Sequence, residues 1–154
     1  MKPRNSLVLP LFLASALWAC SPGADAGNPP SVDADPPTLI LNITSGGEEN
    51  PHAVTMALQL AGHALDEGRT TVLFFNVRGV KTPTVQFPDS VAFRDRPIKE
   101  LLQGLMDRGA EVHVCPHCMA ALEVNAEDLL PGARVTDSGV LFGHMKTNTV
   151  VFTY

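Results

Sequence analysis

The chain has 154 residues, with 11 basic against 16 acidic side chains, a formal charge of −5 and a 45% apolar composition. That length supplies one ordinary domain core and needs no disulfide scaffold to hold it. The acidic balance excludes a general binder of nucleic acid, which needs a basic face against phosphates. Three cysteines are too few for a disulfide-dense secreted module.

Lys2 and Arg4 give a basic start, and an apolar run follows from Leu7 to Trp18, broken by Pro10 and Ser15. The run is shorter than the ~20 residues that span a bilayer as a helix. Together these features read as a secretory signal. The end of the run, Leu17-Trp18-Ala19-Cys20, resembles the lipobox of bacterial lipoproteins. The resemblance implies a signal peptide over residues 1–19 and a lipid on Cys20, the first mature residue. It also implies a periplasmic location, anchored to the membrane through that lipid; Ser21 after the cysteine points to the outer membrane. A plain signal peptide with a chance cysteine is the alternative. Residues 20–37 continue as a lipidated cysteine and a linker rich in proline and aspartate. Its stretch SPGADAGNPPSVDADPP has too little apolar surface to offset the entropy of ordering it.

The folded unit is placed at residues 38–154. Thr38 to Thr44 is a β-rich apolar run ended by Ser45-Gly46-Gly47. Asn50-Pro51 supplies a cap and a first-turn proline for a helix. Val54, Ala57, Leu58, Ala61 and Leu65 recur there at helical spacing, and Gly68 stops it. Thr70 to Val77 is a second strand, and Arg78 to Asp95 a long loop. Pro97 starts a second amphipathic helix, with Ile98, Leu101, Leu102, Leu105 and Met106 on one face and Gly109 as its stop. Glu111 to Val114 is a third strand, followed by a helix from Cys115 to Leu122. Ala133 to Thr136 is a fourth strand, Val140 to Met145 a brief helix, and Thr149 to Thr153 the last strand. Strands alternating with helices through short links predict right-handed crossovers. The fold class is therefore α/β: three α/β/α layers around a mainly parallel sheet of about five strands. Ligand sites in such sheets lie at the carboxyl ends of strands.

His113-Val114-Cys115-Pro116-His117-Cys118-Met119 sits at such an end. Residues three apart share a helix face, so Cys115 and Cys118 direct their sulfurs the same way. Amide groups of a first helical turn favour thiolate over thiol. Pro116 suits that turn because it has no N–H to leave unsatisfied. Three chemistries fit. The first is a thiol or persulfide relay, with Cys115 holding sulfur and Cys118 resolving it. The second is thiol–disulfide exchange: CPHC also occurs in strongly oxidising thioredoxin-fold proteins, although the element order here is not theirs. The third is a non-enzymatic binding module, for a partner protein or for a soft metal such as Cu(I) or zinc. Cys115 and Cys118 would be the ligands, helped by His113, His117 or Met119. A structural disulfide is the fourth possibility. His117, between the cysteines, can stabilise a thiolate or tune a disulfide potential.

Several segments then carry a family likeness. They are Ser45-Gly46-Gly47, the alanine-rich MALQLAGHALDEG, the strand VLFFNVRGV, Gly109 to Cys118 in the pattern Gly-x-x-Val-x-Val-Cys-x-x-Cys, and Asp128-Leu129-Leu130-Pro131-Gly132-Ala133. Over Thr38 to Tyr154 the chain resembles the DsrE/DsrF-like family of small sulfur-relay proteins, in its C-x-x-C branch. The resemblance implies an α/β/α fold, a homo-oligomer, a sulfur donor or acceptor (or thiol-redox) partner protein, and a sulfur-carrying role for Cys115. Cys118 matches the second cysteine of that branch.

His52, at the first helix start, either faces the Cys115 site or is an exposed helix-start residue. His63 reads as a surface or partly buried histidine, His113 as core, and His144 and Met145 as packing or surface. Glu48-Glu49 is a solvated acidic turn. The Ser45-Gly46-Gly47 loop lacks the Lys-Ser/Thr of a phosphate loop, so no nucleotide cofactor is expected. No Ser/His/Asp arrangement suggests a hydrolase.

Overall fold

In a computed structural model of the protein, residues 37–145 and 148–154 are described. The expected signal peptide of residues 1–19, Cys20 and all but the last residue of the expected 20–37 linker lie outside the described residues. Among the described residues, no helix is long and apolar enough to cross a membrane.

The elements follow from local sequence chemistry. Strand β1 is Leu39–Ile43. Helix α1 is Pro51–Asp66, begun by the Asn50 side chain, whose Oδ1 accepts from the Ala53 N–H at 3.1 Å, and by Pro51 at its first turn. Strand β2 is Thr71–Phe75, followed by a 3-10 turn, Val77–Lys81. Strands β3 (Ala92–Phe93) and β4 (Arg96–Pro97) form a short antiparallel hairpin before α2, Ile98–Asp107. Gly109, at φ +98°, lets the chain turn from α2 into strand β5, Glu111–Val114. Helix α3 is Pro116–Ala121, β6 is Ala133–Val135, α4 is Ser138–Gly143 and β7 is Val150–Thr153.

β1, β2, β5, β6 and β7 build one parallel sheet in the order β6-β5-β2-β1-β7. Leu41, Leu73 and Val112 lie in one cross-strand row, and Ile43, Phe75 and Val114 in the next. All six are fully buried and belong to one core with Val54, Leu58, Leu102 and Met119. The first three crossovers run in one direction across the sheet and set α1, α2 and α3 on this face. The last returns from β6 to β7, so a right-handed connection sets α4 on the other face. That second layer is thin: none of the residues of α4 is buried. Among the described residues, seven of the nine exposed large apolar side chains fall between Val135 and Phe152, where the thin layer and the edge strand β7 lie.

The sequence expectation of a plain loop over Arg78–Asp95 is corrected by the 3-10 turn and the hairpin. Their strands are two residues long, too short for any hydrophobic period. The segment is anchored by buried Val80, Thr82, Thr84 and Phe87. Hydrogen bonds from Val85 N–H to the Asp128 carbonyl (2.8 Å) and from Leu130 N–H to that of Pro83 (2.9 Å) hold it further. α4 also begins earlier than the apolar spacing indicates. The Asp137 side chain caps it by accepting from the Val140 N–H at 2.9 Å.

Gly79 brings the 3-10 turn against the end of β1. Its N–H donates to the Thr44 and Asn76 carbonyls, and a Cβ there would overlap the Ile43 carbonyl oxygen. Gly79→Ala should therefore destabilise the protein by about 1–3 kcal/mol, the usual range for overpacking. Chemical denaturation of the full-length chain checks this; an unchanged midpoint would show that the turn can move away without cost.

Candidate functional site

Cys115 ends β5. Its N–H donates to the Phe75 carbonyl at 2.9 Å, which continues the sheet ladder one residue further. Its backbone is then extended (φ −69°, ψ 117°), and it serves as the cap residue of α3, with Pro116 in the first turn. The Met119 N–H donates to the Cys115 carbonyl at 3.0 Å, closing that turn. Met119 and Val114 are buried on either side of the two cysteines and fix their backbone. The thiols themselves remain half-exposed. Both are free, and they are near enough for the charge of Cys115 to act on Cys118. The cap and first-turn positions thus set the two thiols near one another.

The Val77 backbone completes the site. Its N–H donates to Cys118 Sγ at 3.1 Å. Val77 adopts φ +48° to do so, a left-handed conformation that a β-branched residue takes only at a cost of about 1–3 kcal/mol. The preceding Asn76 N–H donates to the Ile43 carbonyl at 3.0 Å, and the Gly79 contacts fix the other side of Val77. Sequence reasoning missed this residue and placed it at the end of a strand. A main-chain donor has no side-chain signature, and valine at positive φ is the opposite of what composition suggests.

Electrostatics separate the two thiols. Burial pushes the Cys118 thiol up from its usual value. The Val77 N–H opposes that shift, while the hydrogen bond and charge of Cys115 add to it. A thiolate on Cys115 thus disfavours a second one on Cys118, so the pair loses one proton more readily than two.

His117 lies between the cysteines and is exposed. Met119 is turned into the core, so its thioether faces away from a soft-metal site at the thiols. His52 is exposed, and its ring stacks on Phe93 of the hairpin with centroids 4.1 Å apart. His63 is exposed as well. A cleft of about 610 Å³ lies between α1 and α2, lined by residues such as His63, Asp66, Glu100 and Arg108; neither cysteine lines it. His113 is fully buried, as its strand position predicts, and burial lowers its pKa. Its ring Nε2 stands 3.4 Å from Glu111 Oε2, and His144 Nε2 stands 3.5 Å from the same oxygen. His144, expected as packing or surface, is thus part of a three-residue group.

Residues 39–154 match the DsrE/DsrF-like family. Among solved structures, the ychN protein from E. coli is similar, with a TM-score of 0.57 at 17% identity over 77% of this chain and 99% of that one. A protein of unknown function from Methanobacterium thermoautotrophicum, MTH1491, gives 0.54 at 16% identity over 78% and 100%. At such identities the likeness is one of fold. No curated protein matches the chain.

Replacing Cys115 by serine removes both contributions that it makes to the Cys118 shift. The alkylation profile of Cys118, followed by mass spectrometry between about pH 6 and 10, should therefore move to lower pH in Cys115→Ser. A profile that stays in place would mean the sulfurs do not sense one another.

Proposed function

The chain belongs to the DsrE/DsrF-like family, and on that premise we propose that it performs reversible sulfur chemistry at Cys115 and Cys118 as a lipid-anchored protein of the cell envelope. One observation carries the reading. Two free, half-exposed thiols stand within electrostatic reach of each other at a strand's carboxyl end, one of them held by a strained backbone N–H.

The assignment of steps follows from the electrostatics. The Cys115 thiolate attacks the terminal sulfur of a donor persulfide. The donor leaves as a thiolate, and Cys115 becomes the persulfide. An acceptor thiolate can then take that terminal sulfur and return Cys115 as a thiolate. Alternatively, the Cys118 thiolate attacks the inner sulfur; the Cys115–Cys118 bond forms and hydrosulfide leaves. With a disulfide as co-reactant, the same attack gives a mixed disulfide on Cys115. Cys118 then displaces the second thiol, so the protein is oxidised by two electrons and the co-reactant is reduced to two thiols. The raised pKa of Cys118 suits the later, resolving role. The Val77 N–H supports charge on Cys118 when its turn comes. His117, on the first turn of α3, is the side chain assigned to modulate the thiolates.

The test uses full-length protein recovered from the membrane fraction. After reduction, exposure to a low-molecular-weight persulfide should add one sulfur atom to Cys115 in Cys118→Ser. In the wild type the adduct should collapse to a disulfide with release of sulfide. No adduct on Cys115 in the reduced protein would end the sulfur reading. Recovery of the protein in the soluble fraction would remove the anchor on Cys20 and leave the thiol chemistry standing.

Self-association is part of the proposal. Phe142, Val151 and Phe152 are exposed on α4 and β7, and β7 is an edge strand of the sheet among the described residues. Light scattering of the full-length chain should give an oligomer that Phe142→Glu with Val151→Lys dissociates. A wild-type monomer would count against it.

A further inference from the structure

We propose that Glu111, His113 and His144 form a binding site for a divalent transition-metal cation of the zinc type, separate from the thiol pair. Glu111 and His113 are two apart on β5 and therefore project from the same face of the sheet, opposite Val112 and Val114. His144 caps the end of α4 and meets them from the second layer, its ring edge-on to that of His113 with centroids 5.7 Å apart. One ligand atom from each side chain lies within 4.8 Å of the others.

The distances distinguish a cation site from a hydrogen-bonded trio. Charge-assisted N–H···O bonds close to about 2.7–2.9 Å. The contacts to Glu111 Oε2 are 3.4 Å and 3.5 Å, long for that purpose. A tetrahedral zinc ion with bonds of about 2.0–2.1 Å holds its ligand atoms roughly 3.4 Å apart. The two spacings to Glu111 match that value, and all three ligand atoms lie within 4.8 Å of one another.

The donor chemistry agrees. Two neutral imidazoles and one carboxylate are a zinc-type set and leave a fourth position for water or an outside donor. The His113 side chain is 0% exposed. Its Nδ1 has no hydrogen-bond partner, so this buried ring has only a long contact to Glu111 and a ring contact to His144. A metal bond at Nε2 would take the place of that long contact. The side chains of Glu111 and His144 are 32% and 20% exposed, which gives an ion a way in. Once bound, the ion ties the thin second layer to the centre of the sheet.

The experiment uses full-length protein carrying Cys115→Ser and Cys118→Ser, so that the thiol pair cannot contribute. Zinc titrated by calorimetry should bind at one equivalent and raise the melting temperature. Cobalt should give visible bands without a sulfur charge-transfer band. His144→Ala should weaken zinc binding by at least about tenfold, since a three-ligand site loses a first ligand. Glu111→Gln should do the same, with circular dichroism confirming that both variants fold. Absence of saturable binding, unchanged affinity in both variants, or a sulfur band that places the ion on Cys20 would overturn the proposal.

Discussion

β5 is held between β2 and β6, and its alternation of side chains governs what the molecule can do. Val112 and Val114 lock into the rows formed by Leu41, Leu73, Ile43 and Phe75. A slip of one residue would drive Glu111 and His113 into the apolar core and is forbidden by the cost of burying them there. With the register fixed, the strand must finish at Val114, and the next residue must leave the sheet. Cys115 is that residue. The same constraint turns His113 to the face of the sheet opposite Val112 and Val114.

The second requirement is a backbone donor brought from outside β5. Thr44, Asn76 and Gly79 clamp the segment after β2 onto the end of β1, and that clamp holds Val77 in an unfavourable conformation. Because the strain sits beside a sulfur atom, it reads as preorganisation. In the proposed reaction the backbone would be fixed beforehand, so no reorganisation would be needed for charge on Cys118.

The parts written in side-chain pattern were legible in the sequence. Leu39, Leu41 and Ile43 alternate with Ile40 and Asn42. The Asn50-Pro51 start and the glycines at 68 and 109 bound helices, and Cys115 with Cys118 marks the strand-to-helix junction. What stayed hidden depends on main-chain geometry or on residues far apart in the chain. Val77 contributes an N–H and not its side chain. The two-residue strands β3 and β4 are too short to have a period. His144 stands 31 positions beyond His113, and only the return crossover from β6 brings it back over β5. Asp137 is a helix-start signal present in the sequence but overshadowed by the apolar residues that follow it.

The two faces of the sheet are covered unequally, and this divides the molecule energetically. Three helices seal the side that contains Leu41 and Val112. On the other side Ile40, Val72 and His113 are buried, and α4, whose cap residue His144 meets His113, has no buried residue of its own. Local opening follows the weakest packing. The α4 segment can thus lift and let solvent reach the His113 imidazole while the opposite face stays closed, so the molecule can breathe on one side without unfolding on the other.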